Sequence, residues 1–243
     1  MKEKVVAIIQ ARMGSKRLPG KSMVDLAGKP LIWHVLTRVK RCKKIDEIVL
    51  ATTTREEDDV LADIARECRV SIFRGSENDL VDRYYQAAKK FKADIVVRIC
   101  ADNPCLEPEE IDRIIEYHKK GESDFSSNVY SIDESGYPDG LGAEVLNFDT
   151  LEELWRITKE PRHREHVHSY FYDSPDKYVI GTIPCPKEFR RPELKLDVNN
   201  EEELRFIRAI YEYLYPKKRD FHITDIINWY DNVYQRCDEP QRS

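Results

Sequence analysis

Residues 5–10 read Val5-Val-Ala-Ile-Ile-Gln10, and residues 11–21 follow as Ala11-Arg-Met-Gly-Ser-Lys-Arg-Leu-Pro-Gly-Lys21. The first six form an apolar run of strand length bounded by polar sequence. The loop after them is of another character. Gly14 and Ser15 permit tight backbone curvature with free N–H groups, and Arg12, Lys16, Arg17 and Lys21 set four cations within ten residues. Backbone donors and cations directly after a first strand make a cradle for a polyphosphate. Two better-known phosphate loops are excluded. Gly14…Gly20-Lys21-Ser22 approaches G-x-x-x-x-G-K-[ST] but has one residue too many between its glycines. The lysine of that motif also opens a helix, whereas Val24-Asp-Leu-Ala-Gly28 intervenes here. The dinucleotide pattern G-x-G-x-x-G is absent.

Outward from this loop, strands and helices alternate. Pro30 stands at a first helical position, and Leu31, Ile32, Val35, Leu36 and Val39 recur with helical period. Glu47–Ala51 reads as a strand. Thr54 is placed to cap a helix carrying Val60, Leu61, Ile64, Ala65 and Cys68. Val70–Phe73 is a short strand, Ser76–Asp79 resembles a capping box, and Leu80, Val81, Tyr84, Ala88 and Phe91 follow with helical spacing. Asp94–Cys100 is a buried strand, and Glu109–Lys120 a helix closed by Gly121. Four strand–helix units in about 120 residues predict an α/β fold, a mostly parallel Rossmann-like sheet with helices on both faces. Ligands of such sheets lie beyond the strands' carboxyl ends, near the switch in strand order. From about Ser123 the rhythm changes to short strands (124–128, 144–148, 178–183) around helices near 151–159 and 163–172. The reading is one folded unit, 1–243, with a smaller lobe over 123–192 for substrate or dimer contacts. Leu194–Val198 is expected to return to the sheet before helices over 201–214 and 224–234.

The composition narrows the function. Of 243 residues, 41% are hydrophobic and 35% charged, enough for a core beneath a charged surface, and the net charge is −5. Through Lys44 there are twelve basic and two acidic residues. A basic cluster on an acidic chain points to a small anionic ligand rather than to nucleic acid. No apolar run approaches the roughly 20 residues of a membrane helix. The apolar stretch near the start is too short for a secretory signal, so neither membrane nor export is expected and the location reads as cytoplasmic. Six scattered cysteines with no C-x-x-C pair suggest neither zinc nor a disulfide framework. His163-x-x-His166-x-His168 gives poor geometry for a three-ligand zinc site on a helix, because position 168 lies well off the face shared by 163 and 166.

The stretch IIQARMGSKRLPGKSM…GKPLIWHVL resembles the opening of the nucleotidyltransferases that activate sugar acids with CTP. These are the 3-deoxy-manno-octulosonate and acylneuraminate cytidylyltransferases, and nearest of all the spore-coat polysaccharide biosynthesis protein F group. Arg74-Gly-Ser-Glu-Asn-Asp-Leu-Val-Asp-Arg-Tyr-Tyr85 is similar to that group's second signature. Ala101-Asp-Asn-Pro104 resembles its G-D-x-P loop, with alanine in place of glycine. Tyr137–Val145, Arg164-Glu-His-Val167 and Leu194-Lys-Leu-Asp197 follow in family order. Purine- and uridine-using relatives carry an A-G-G-type turn after strand one, and Ala11-Arg12 stands there instead.

The resemblance implies a nucleotide-diphospho-sugar transferase type of fold. It also implies a reaction in which a substrate oxygen attacks the α-phosphorus of CTP, giving a CMP conjugate and pyrophosphate. By the same resemblance Arg12 and Lys21 are catalytic. The nucleotide contacts it implies are Ala11, Arg12, Met13, Gly14, Ser15, Lys16, Arg17, Lys21, Arg74, Arg83 and Asp102, with Arg74 and Arg83 open to the sugar carboxylate as the alternative. Asp102 and Asp197 would hold Mg²⁺, Asp102 lying just past its strand, and Asp139, Glu144 and His166 would meet the substrate. A homodimer is expected. The group usually shows P-D-G-L-D where this chain has Pro138-Asp-Gly-Leu-Gly142, so the acceptor reads as atypical. Rival readings are another nucleotide, a phosphonate or polyol-phosphate acceptor, or a catalytically silent nucleotide-binding subunit.

Overall fold

In the strand Val5–Gln10 (β1), odd residues pack into one apolar layer and even residues into another. A strand buried on both faces belongs at the centre of a parallel sheet. The computed structural model describes residues 2–15, 17–128 and 135–235, and there β1 is central. A hairpin of Asp25–Leu26 (β2) and Lys29–Pro30 (β3) leads into the helix Leu31–Val39 (α1). Then come Glu47–Thr53 (β4), Asp59–Glu67 (α2), Ser71–Gly75 (β5), Leu80–Lys90 (α3), Ile95–Cys100 (β6) and Pro108–His118 (α4). Beyond them lie Phe125–Ser127 (β7), Glu144–Asn147 (β8), Phe148–Ile157 (α5), Pro161–Glu165 (α6), Ser169–Tyr172 (α7), Ile180–Gly181 (β9), Glu201–Leu214 (α8) and Ile223–Trp229 (α9).

Among the described residues the sheet has seven strands in the order β5-β4-β1-β6-β8-β7-β9. β5, β4, β1 and β6 are mutually parallel, and β8 runs antiparallel to both β6 and β7. The chain leaves β1 towards β4 and β5, then returns to β1's other side as β6, so the order reverses between β1 and β6. The loops after these two strands, 11–21 and 101–107, therefore flank the crevice where such sheets bind ligands. The cores of α1, α2, α4, α8 and α9 lie on one face and those of α3, α5 and α7 on the other. No helix among the described residues is long and apolar enough to cross a membrane.

The chain departs from the sequence expectations at four places. Pro30 is the N-cap of α1 in extended conformation rather than its first turn. Thr54 caps nothing: a 3₁₀ turn over Glu56–Asp58 comes first, and α2 starts after Asp58. The helix expected over 163–172 is broken into α6 and α7, with His166 extended between them. Leu194–Val198 does not join the sheet. It runs beside the 138–140 turn through one parallel bridge, Asp139 to Lys195, with Asp139 N–H donating to Leu194 O at 3.0 Å and Leu196 N–H to Asp139 O at 2.9 Å. Gly140 makes this approach feasible. Its φ is +79°, and a Cβ there would lie 2.7 Å from Asp197 N. Segment 123–192 contributes β7, β8 and β9 to the main sheet, so its strands extend the nucleus of the fold.

Candidate active site

The loop after β1 is closed on itself. Met13 O accepts from Ser15 N–H at 2.8 Å and from Gly20 N–H at 3.0 Å, so the amide of Ser15 is used internally rather than left free. Gly20, at φ +72°, precedes a 3₁₀ turn over Lys21–Met23, and Leu18 is buried in the core beneath. The loop is pinned from below by Asp58, which is fully buried and accepts from Met13 N–H at 2.7 Å and from the Thr53 hydroxyl. Sequence reading missed Asp58; an acidic residue in a three-residue turn carries no distinguishing pattern.

Lys21 leaves this loop to meet two others. Its Nζ lies 2.5 Å from Asp102 Oδ2, past the end of β6, and 3.0 Å from Val198 O. Val198 N–H in turn donates to Asp102 O at 2.9 Å. Asp197 is the residue before it. Its Oδ2 accepts from the Asn199 amide, while its Oδ1 is buried with no hydrogen-bond partner among the described residues. Burial, then the charges of Asp139, Glu203 and Asp102, push the Asp197 carboxyl up to about 6. Asp139 is raised as well, first by burial, with Asp102 and Glu203 contributing. The structure thus brings Asp102 and Asp197, 95 residues apart in sequence, to one acidic cluster beside Lys21. Asp139, expected at the substrate, belongs to this cluster. Arg17 reaches its edge, donating to Asn199 Oδ1 at 2.8 Å.

A folded-state carboxyl raised above its unfolded value favours the protonated form in the native state. Stability is then greatest below the unfolded pKa and is lost as pH rises through the folded one. Between pH 4 and pH 6 Asp197 accordingly works against the stability that carboxyls held below their ordinary values, such as Asp46, Glu47 and Asp225, add as pH rises. In thermal melts of the ligand-free protein, Asp197→Asn should shift the slope over this interval towards gain relative to the wild type, and an unchanged slope in the variant would remove Asp197 as a contributor.

Arg12 stands on the other side of the loop. Its Nη1 donates to Glu77 O at 3.2 Å and its Nη2 lies 3.9 Å from Glu165 Oε1, at the end of α6. Arg74 is used otherwise than expected. Its three nitrogens donate to Thr53 O (2.8 Å), Arg55 O (2.7 Å) and Asp59 Oδ1 (2.5 Å), so it staples the end of β4 to the start of α2. Three of its five N–H donors are thus spent inside the protein, leaving one on Nη1 and one on Nη2. Asp79 caps α3 by accepting Asp82 N–H and also holds Arg164; Ser76 accepts from Asp79 N–H instead of capping the helix itself. Lys16 lies outside the described residues.

Glu144, Arg98 and the 166–168 segment make a second group. Arg98 on β6 pairs with Glu144 on β8 at 2.5 Å, both buried, and His168 Nδ1 lies 3.4 Å from Glu144 Oε1. The rings of His166 and His168 are 6.0 Å apart, while His163 turns to Asp173 at 3.0 Å. Sequence reading passed over Arg98, although a lone charge inside the apolar strand Ile95–Cys100 is an uncommon placement that asks for a partner. The departure at Gly142 has a steric reason: a Cβ there would lie 1.9 Å from Asn128 Oδ1, and Asn128 accepts from Ala143 N–H at 3.0 Å. With Asn128 so placed, position 142 has no room for an aspartate.

Comparison with known proteins places this geometry. A sequence model described as cytidylyltransferase matches residues 6–222. The chain is 33% identical over 213 residues to spore coat polysaccharide biosynthesis protein SpsF of Bacillus subtilis, covering 86% of each. It is 38% identical over 239 aligned residues to 3-deoxy-manno-octulosonate cytidylyltransferase of Trichlorobacter lovleyi, covering 86% of this chain and 92% of that one. Among solved structures, a cytidylyltransferase from Leptospira borgpetersenii superposes over the whole of both chains with a TM-score of 0.89 at 28% identity.

Proposed function

The chain belongs to the cytidylyltransferase family and is a nucleotidyltransferase, and from that premise we propose that it transfers CMP from CTP to an acidic sugar, for surface polysaccharide or glycan assembly. The observation that carries this reading is the junction of Lys21 with Asp102 and the Val198 carbonyl, beside the half-unpartnered Asp197, at the crevice where the sheet order reverses. Arg12, Arg17 and Lys21 neutralise the triphosphate so that an anionic acceptor can approach. An acceptor oxygen bonds to the α-phosphorus, the bond to the bridging oxygen breaks, and Lys21 steadies the departing pyrophosphate. Asp102 and Asp197 are the residues to hold Mg²⁺. No group of three His, Cys, Asp or Glu among the described residues is drawn together tightly enough to hold a metal alone. Two hard carboxylates suit a cation that completes its shell with phosphate oxygens and water. Such an ion supplies charge neutralisation at the phosphates.

The acidic acceptor is supported by the relatives named above and by the second polar group around Arg98, Glu144 and His166. The bare backbone at Gly142 supports an acceptor differing from those of relatives with aspartate there. The test is pyrophosphate release from CTP, UTP, ATP and GTP against a panel of sugar acids, with and without Mg²⁺. Release with CTP, Mg²⁺ and at least one sugar acid is expected. CTP with Mg²⁺ at a hundredfold excess over its Kd should add about 2.7 kcal/mol of stability, roughly 5–10 °C in Tm for a domain of this size. Nucleotide binding with no release for any acceptor would leave a silent subunit, and release only with another nucleotide would replace CTP.

A further inference from the structure

Strand alternation places Gln10, Arg98 and Glu144 above Ile8, Val96 and Leu146, on the face of the sheet that α3 covers. There α3 supplies Arg83 and Tyr84, and the break between α6 and α7 supplies His168. These side chains hold an unusual concentration of unmet polar atoms. Arg83 is 2% exposed and Tyr84 1%. The Nε and Nη1 of Arg83, the Tyr84 hydroxyl, Arg98 Nε and His168 Nδ1 are all buried without a hydrogen-bond partner among the described residues. Arg83 makes one weak contact, from Nη2 to Gln10 Oε1 at 3.4 Å. The group is contiguous. The Arg98 guanidinium carbon is 6.0 Å from the Tyr84 ring centre, and the Tyr84 hydroxyl feels the charges of Arg98, Glu144 and Arg83.

Charge makes the arrangement informative. Arg98 is balanced by Glu144, whereas Asp58 and Glu77 act on Arg83 only as charges, without a hydrogen bond, and Arg12 repels it. A buried ion without a partner is strongly destabilising, and an apolar side chain of similar volume would be neutral or better. A chain that keeps Arg83 and a bare Tyr84 hydroxyl there does so against its own stability, the usual mark of a binding group.

We propose that Arg83, Tyr84, Arg98 and His168 form the subsite for the carboxylate of the CMP acceptor, a proposal that rests on the acidic-sugar reading above. Arg98 keeps an unmet Nε beside its pair with Glu144, and Arg83 keeps two unmet nitrogens, so the group offers donors to an anion. Planar guanidinium forks fit a planar carboxylate, and the Tyr84 hydroxyl supplies a further donor. Of the two roles the resemblance leaves open for Arg83, nucleotide or sugar carboxylate, this assigns it the second. The group adjoins the triphosphate loop, with Gln10 and Arg12 beside Arg83 and with Cys100 between Arg98 and Asp102, so an acceptor held there lies next to the nucleotide.

The test uses the full-length protein with Arg83→Met and Tyr84→Phe. Three quantities are read: Tm without ligand, KM for CTP, and KM for the sugar acid that the wild type uses. Both variants should melt at or above the wild-type temperature. The acceptor KM should rise at least tenfold in Arg83→Met and severalfold in Tyr84→Phe, with the CTP KM within twofold of wild type. A lower Tm in both variants would make the group structural, and a rise in CTP KM alone would return Arg83 to the nucleotide. Either result overturns the subsite. A wild type active on sugar acids with neither acceptor KM changed sinks the subsite alone. A wild type silent on every sugar acid sinks the acidic-acceptor reading and the subsite with it.

Discussion

Lys21→Ala is expected to lower turnover of CTP by at least about a hundredfold in a protein that still folds. The magnitude follows from removing one preorganised cation from where negative charge builds in the transition state, about 3–4 kcal/mol of barrier. Lys21 is well placed for so large an effect. Its ammonium touches Asp102 Oδ2 at 2.5 Å and Val198 O at 3.0 Å, so it is held by two loops before any ligand binds. Without it the cluster of Asp102, Asp139 and Asp197 loses the cation nearest to it and repels a triphosphate more strongly. The fold should survive because the loop keeps its other ties: the Met13 carbonyl with its two amides, Asp58 beneath Met13, and buried Leu18. Lys21→Arg separates charge from shape. A planar fork retains the charge but cannot occupy the same point between a carboxylate and a carbonyl, so a partial loss is expected. Steady-state pyrophosphate release together with circular dichroism decides the matter; near-normal turnover in folded Lys21→Ala would remove the lysine from the chemistry.

The parallel half of the fold was legible because its signal is local. An apolar run, a turn and a helical period repeat four times before residue 120, and each unit reports itself. The pairing of Asp102 with Asp197 rests on resemblance, since nothing local says that residues 95 positions apart share a loop cluster. Segment 194–198 shows the limit most plainly. Leu194, Leu196 and Val198 alternate with polar residues as a strand would, and all three are buried. The alternation reports a buried side, but not whether the backbone partner is a strand or the 138–140 turn. Arg74 shows another limit. The resemblance makes Arg74 a ligand through the second signature, and only coordinates reveal that Thr53, Arg55 and Asp59 take three of its five donors. In the 123–192 region the strands are two to four residues long, too short for a period to declare that they extend the main sheet.

Asp102→Asn and Asp197→Asn should each reduce turnover at least about a hundredfold, yet they should differ in what they do to the protein without ligands. Asp102 is partnered: its carboxylate meets Lys21, so the amide replacement breaks an ion pair and leaves the ammonium facing a neutral group beside Val198 O. A small fall in Tm is expected, since both partners keep some contact with water. Asp197 is the reverse. Its Oδ1 has no partner among the described residues, and burial with neighbouring acids raises its carboxyl to about 6. At pH 7.5 the wild type therefore carries a charge there that the native state disfavours, and asparagine removes it. Asp197→Asn should melt at or above the wild-type temperature while losing activity. A residue kept only for structure could not behave so. The same variants should lose the part of CTP stabilisation that depends on Mg²⁺, because one remaining carboxylate with the phosphates grips the ion less firmly than two. Thermal melts with CTP, with and without Mg²⁺, read this directly. If folded Asp197→Asn keeps both its turnover and its Mg²⁺-dependent shift, Asp197 does not hold the ion, and Asp102 with the acids left in the cluster must do so without it.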